Sequence, residues 1–260
     1  MPGQDATSLA LQADPIRIVP LRLPDDLAAP TAGPAAAPEL TYRGGQLLSA
    51  VKVFTVFWGT QWAQAPQAGL INQINGFFDF ILTSALIDQL AEYSVTNYQI
   101  GHGSRIGTAT VTSPALRRVA PDGAIQHLLR HEITTNNAFP QPDANTLFFV
   151  YLPPGVTAVQ GGSRSCSSFC GYHSNVGSQL FYAVMPYPGC HGCTGNLQPF
   201  DALTSTSSHE LAEAITDAIP GQGWYDDQNG EIGDICAWQT KQLGNYTVQL
   251  LWSNQAGRCI

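Results

Sequence analysis

A chain of 260 residues that is 44% hydrophobic carries enough apolar material for a sizeable core, yet no stretch approaches the roughly 20 apolar residues of a membrane-spanning helix. Charged residues are sparse at 12%, and 19 Asp+Glu against 11 Lys+Arg leave a formal charge of -8. That sign argues against nucleic acid or an anionic membrane as partner, since both call for basic patches, and it suits metal binding or simple solubility alike.

Residues 1–40 are rich in Ala, Pro and Asp, with Ala-Ala-Pro-Thr-Ala-Gly-Pro-Ala-Ala-Ala-Pro at 28–38. This composition cannot build a core and reads as a flexible leader, linker or pro-segment ahead of a single domain over 41–260. Val51 to Gly59 is β-branched and aromatic and ends at glycine, which predicts a buried strand. Over 66–93, Leu70, Ile71, Ile74, Phe77, Phe78, Phe80 and Ile81, then Leu86, Ile87, Leu90 and Tyr93, recur at helical spacing and predict one or two helices. Tyr98 to Thr112 alternates as a strand does, Asp122 to Thr134 has a helical pattern, and Leu147-Phe148-Phe149-Val150-Tyr151 marks a central strand within Asn145–Leu152. Gly161 to Cys193 looks irregular apart from a strand at Leu180–Tyr187. Asp201 is placed to cap a helix running to about Ala218, which Pro220-Gly221 stops, and Tyr246 to Trp252 predicts a last strand. Strands alternating with helices give an α/β (α+β) fold, a mixed β-sheet flanked by helices.

The cysteines, Cys166, Cys170, Cys190, Cys193, Cys236 and Cys259, all lie in the second half. Their even count reads as three disulfides in an oxidising compartment, with a structural zinc on the first four thiolates as the rival. A disulfide-bonded chain of this kind is expected to be secreted or extracytoplasmic. Met1 to Leu23 nevertheless lacks the basic start and continuous apolar run of a secretory leader.

The chemistry is concentrated in His209-Glu210-Leu211-Ala212-Glu213. On a helix, His209 and Glu213 project from one face a turn apart, so an imidazole and a carboxylate can share one metal ion. Glu210, beside the histidine, is placed to act on a metal-activated water, as in His-Glu-x-x-His metallopeptidases with the second histidine replaced by Glu. A carboxylate ligand in that position also admits harder cations such as calcium or manganese. Eighteen residues past Glu213 comes Glu231, and three further on Asp234. This order resembles zinc peptidases of the thermolysin type. It suggests Glu231 as third ligand and Asp234 as the outer partner of His209, with the two roles exchangeable. Asp217, eight residues beyond His209 on nearly the same face, is a further candidate. Among the other groups, His173 follows Cys170 closely enough to approach the site, while His127 and His131 read as a helix surface and His102 as a turn residue. An oxyanion donor would come from Tyr225, Tyr172 or His173. Asp226, Asp227 and Asn229 resemble a calcium loop in composition only and read as a solvated turn.

Taken in order, several pieces resemble the EXORDIUM (phosphate-induced) proteins of plants and their bacterial relatives: Tyr42-Arg43-Gly44-Gly45, Val53 to Gly59, Cys166-x3-Cys170-Gly171-Tyr172-His173, Cys190 with Cys193, Ser208 to Glu213, Glu231-Ile232-Gly233-Asp234-Ile235-Cys236, and Trp252 ahead of Cys259. Arg43 stands where the family's opening motif has histidine. The resemblance implies secretion or a cell-wall location, and pairing of Cys166 with Cys170, Cys190 with Cys193, and Cys236 with Cys259. The site residues themselves point to a zincin-like metallopeptidase. In it zinc sits on His209, Glu213 and Glu231 or Asp234, Glu210 is the general base, and the substrate is a peptide or protein. The competing expectation is a non-catalytic extracellular or cell-wall module with a structural zinc or calcium ion and a carbohydrate or protein partner.

Overall fold

A computed structural model describes residues 18–21 and 37–260 of the chain. Its centre is a six-stranded sheet built from β1 (Ile18–Pro20), β2 (Lys52–Trp58), β3 (Ser104–Val111), β4 (Thr146–Tyr151), β5 (Phe169–Val176) and β6 (Leu180–Met185), in the spatial order β1-β5-β6-β4-β2-β3. Strands β6, β4, β2 and β3 run parallel, whereas β5 is antiparallel to both of its neighbours. The expected mixed sheet flanked by helices is therefore present. Most of the segment 1–40 lies outside the described residues. Its described stretch, β1, forms the sheet edge, with Val19 opposite Gly171.

Both faces of the sheet are covered, which is why β4 and β6 read as unbroken apolar runs rather than alternating ones. Phe57, Leu147, Phe149, Tyr151, Phe181 and Met185 enter one core. It is closed by α1 (Gln67–Ile81), α2 (Ala85–Leu90) and a later helix, α5 (Pro199–Thr216). The intervening residues Phe54, Val56, Phe148, Val150, Tyr172 and Tyr182 face the opposite way, toward α3 (Asp122–Thr135). The predicted 66–93 helical region is two helices because Ser84 interrupts it, its hydroxyl accepting the N–H of Leu86 at 3.3 Å. Among the described residues no single helix is long and apolar enough to cross a membrane.

Two expectations are corrected. The stretch 161–193, which looks irregular in sequence, contains the eight-residue strand β5. Its Cys, Gly, Ser and Asn residues hide a segment whose side chains are nonetheless buried through His173 and Ser174. The helix carrying His209 begins at Pro199 rather than at a capping Asp201. Proline in the first turn needs no N–H partner and has its backbone angle preset for a helix, so a side-chain cap is dispensable. Asp201 instead accepts the Thr247 hydroxyl at 3.0 Å.

Three disulfides join Cys166 to Cys190, Cys170 to Cys193 and Cys236 to Cys259. The last agrees with the family-based expectation and the first two overturn it, as they do the four-thiolate zinc site. The short helix α4 (His191–Thr194) packs against β5. Each cysteine of one segment consequently faces one of the other, and the bonds staple the two segments instead of closing small loops within them. Three such bonds fit an oxidising, extracytoplasmic environment.

Candidate metal centre

Helix α5 is buried from Ala202 to Thr216. A run of small hydroxyl residues, Thr204 to Ser208, lets it lie close under the sheet and the hairpin formed by Thr240–Leu243 and Tyr246–Gln249. Those hydroxyls are satisfied in place. Thr204 donates to the Thr247 carbonyl at 2.7 Å, Ser207 meets the Tyr151 hydroxyl at 2.8 Å, and Ser208 accepts the Gln249 N–H at 2.9 Å. Gly171 on β5 allows the same close approach. A methyl group there would lie 2.8 Å from Thr206 Cγ2 and 3.1 Å from Glu210 Oε1.

This packing aims His209, Glu210 and Glu213 at His173 on β5 and at the turn carrying Glu231 and Asp234. His209 Nε2 is 2.8 Å from Glu213 Oε1 and 3.8 Å from Asp234 Oδ1. His173 Nδ1 is 3.2 Å from Glu210 Oε2, while its Nε2 is 3.4 Å from Glu231 Oε1 and 3.2 Å from the Asp217 carbonyl. All of these side chains are at most 1% exposed except Asp234, at 7%.

Close as they are, many of the polar atoms find no hydrogen-bond donor or acceptor in good geometry: His209 Nε2, Glu210 Oε1, Glu213 Oε2, Asp234 Oδ1 and the oxygens of Glu231, whose carboxyl lies against that of Asp217. The contact between His209 and Glu213 shows why. At 2.8 Å the atoms are near enough to bond, but Nε2 is misaligned for donation. Buried polar atoms are ordinarily paired. Two acceptors this close with no hydrogen bond between them have the spacing of ligands on a cation. Donors held about 2.0–2.1 Å from a tetrahedral ion stand about 3.3 Å from one another, between the two distances from His209 Nε2. Two groups of donors can each hold a metal ion, His209 with Glu213 and Asp234, and His173 with Glu210 and Glu213.

Among protein groups alone, burial would push the His209 and His173 pKa values down, but the facing carboxylates win and raise both to about 10. Burial raises Glu231 and Asp234 well above the usual carboxylate range, with the charge of Glu213 adding to it, and also raises Glu210. Glu213 is the exception: burial opposes its charge, but the two imidazolium rings hold it down at about 2. Protons on the rings thus stand where cations would neutralise the cluster.

The structure brings together His209, Glu213, Asp234, Glu210, His173 and Glu231, and it redistributes their expected parts. Asp234, rather than Glu231, shares the first group with His209; Glu231 meets His173. Asp234 is not the outer partner of His209, because Nδ1 faces Gln249 Oε1 at 3.0 Å, and the Gln249 amide donates to the Gly233 carbonyl at 2.8 Å. Gln249 carries no motif; its only signal is an amide among the apolar residues of the last strand. Gly233 presses flat on the ring, where a methyl group would come within 2.8 Å of His209 Cγ. Asp217 is not presented as a ligand, since its carboxylate accepts the N–H groups of Gly221, Gln222 and Gly223 and ties the loop after α5. Tyr172 points to the opposite face of the sheet, its hydroxyl donating to Asp122 at 2.9 Å. Neighbouring strand residues alternate sides, so His173 and Tyr172 cannot both face α5. Tyr225 is buried beneath the Arg43 guanidinium, 4.4 Å from the ring centroid. The Asp226 carboxylate accepts the N–H groups of Gln228 and Asn229 in an ordinary turn.

Neither a protein-family model nor a curated protein matches the chain.

Proposed function

We propose that this chain is a secreted, zinc-dependent metallohydrolase that cleaves peptide bonds, and a distant relative of the EXORDIUM proteins. One observation carries the reading: His209 Nε2, Glu213 Oε1 and Asp234 Oδ1 converge, two of them without hydrogen-bond partners, next to a Glu210 whose Oε1 also has none. One imidazole and two carboxylates suit zinc and leave a fourth position for solvent or substrate. A zinc ion there would supply Lewis acidity toward a carbonyl oxygen and ease ionisation of water. The chain's own residues do the rest. Glu210 takes the proton of the attacking water and passes it to the leaving nitrogen. His173, 3.2 Å from Glu210 Oε2, fixes that carboxylate in place. Gln249 sets the His209 ring by accepting from Nδ1. The substrate is a peptide or protein.

The near-complete burial of the donors, none more than 7% exposed, supports a second reading, a non-catalytic extracellular module with a structural zinc or calcium ion. The two readings part on Glu210. In the enzyme, Glu210→Gln cuts hydrolysis of a quenched-fluorescent peptide library by roughly 10²–10⁴-fold while zinc remains on the His209 group, and Glu213→Ala loses metal and activity together. Full activity in Glu210→Gln sinks the mechanism. A metal-loaded wild type that cleaves no peptide selects the structural module.

A further inference from the structure

The donors around His209 account for only one side of Glu213. On the other, His173 Nδ1 lies 3.2 Å from Glu210 Oε2 and 3.6 Å from Glu213 Oε2. Glu213 therefore presents Oε1 to His209 and Oε2 to His173. A carboxylate with one oxygen in each of two donor groups has the disposition of a bridging ligand. In two-metal hydrolytic sites the paired ions stand roughly 3.5–4 Å apart.

Both imidazoles are also set as metal-bound rings are, with the remaining nitrogen directed at an oxygen acceptor. For His209 that acceptor is Gln249 Oε1, at 3.0 Å from Nδ1. For His173 it is the Asp217 carbonyl, at 3.2 Å from Nε2, with Glu231 Oε1 alongside at 3.4 Å. Charge supplies an independent argument. Glu210, Glu213, Glu231 and Asp234 all keep oxygens that are buried and without hydrogen-bond partners. Ionised together these four carry four negative charges, while the neighbouring Asp217 carboxylate is held by backbone N–H groups; a single dication leaves half of the four uncompensated out of water, and two dications balance them.

We propose that the cluster holds two divalent cations, one on His209, Glu213 and Asp234 and a second on His173, Glu210 and Glu213, with Glu213 bridging them. This extends the metallohydrolase reading and rests on it. Glu210 then has separate tasks for its two oxygens: Oε2 is a ligand, and Oε1 is left to take the proton.

The test is metal stoichiometry of the full chain, stripped with a chelator and titrated with zinc alone. Wild type is compared with His173→Gln and with a His127→Gln/His131→Gln double variant. The double variant removes the exposed histidine pair on α3, whose rings stack at 6.4 Å and offer zinc a surface site. Two zinc ions per chain are expected in wild type and in the double variant, and one in His173→Gln. Cobalt-loaded wild type is expected to show spin coupling between the ions, which a surface-bound ion would not give. One zinc ion with peptide hydrolysis intact overturns the second site and leaves the metallohydrolase standing. Two coupled ions without hydrolysis keep the two-ion centre and overturn the enzyme. A second zinc ion that vanishes in the double variant also overturns the proposal, and this arm decides even where His173→Gln fails to fold.

Discussion

His209 illustrates how one side chain acquires its chemistry from groups far away in the chain. Its Nε2 looks toward Glu213 and Asp234, and its Nδ1 toward Gln249, 40 residues on. Gln249 is itself held by the Gly233 carbonyl, so it ties the ring to the turn that carries Asp234. Replacing it by leucine keeps the volume and removes both hydrogen bonds, which leaves the imidazole free to rotate and its tautomer unset. Metal affinity is expected to fall about 10–100-fold, measured by competition with a chromophoric chelator. The thermal midpoint of the chelated protein serves as the control for a merely structural effect. Unchanged affinity would show that Gln249 does not position the ring. The sequence exposes only part of this arrangement. The spacing of His209 and Glu213 is a local, helical fact and can be read directly. The choice between Glu231 and Asp234 depends on how a turn folds back, and the part of Gln249 depends on a hairpin landing on α5; no local pattern records either.

At the level of elements, the site is the seam between α5 and β5. The seam works because the helix presents small residues and the strand presents Gly171. Gly171→Ala would force a methyl group against Met185 Cε at 2.7 Å and Thr206 Cγ2 at 2.8 Å. The methionine tip can move aside, but the threonine methyl sits on the helix and cannot move without it. Overpacking of this kind costs about 1–3 kcal/mol, and the helix shift separates Glu210 and Glu213 from His173. Chemical denaturation is expected to show the loss of stability, and zinc titration a weakened site; a variant with wild-type values in both would mean that the seam tolerates the spacing. The same seam marks where sequence reading stops. The strands β2, β4 and β6 are legible because apolar, β-branched and aromatic residues dominate them. Strand β5 is not, since its Gly171 and His173 serve the helix above and its Asn175 the turn beyond, with the amide donating to the Gly177 carbonyl. Two of the three expected cysteine pairings fail for a related reason: their connectivity follows the packing of α4 on β5, and spacing alone does not encode it.

For the whole molecule, the cluster makes stability depend on pH in opposite directions with and without metal. In chelated protein, Glu210, Glu231 and Asp234 have pKa values raised above those of the unfolded chain. The folded state therefore binds more protons than the unfolded state once the pH passes the ordinary carboxylate range near 4.5. His173 and His209, raised from 6.5 to about 10, add a further excess between those two values. When the folded state holds more protons, stability falls as pH rises, by about 1.4 kcal/mol per pH unit for each proton of difference. Glu213 works in the other sense, but only between its folded value of about 2 and 4.5, where its contribution is lost as pH falls. Chelated protein is thus expected to be most stable in mild acid and to weaken steadily toward pH 10. Zinc reverses the slope, because its ligands must be unprotonated, and raising the pH removes the protons that compete with it. Thermal melts of chelated and zinc-loaded protein across pH 4.5–9 should diverge, with the gap widening as pH rises. Parallel curves would mean that the ion does not replace the protons of these carboxylates and histidines, and that zinc binds elsewhere on the surface.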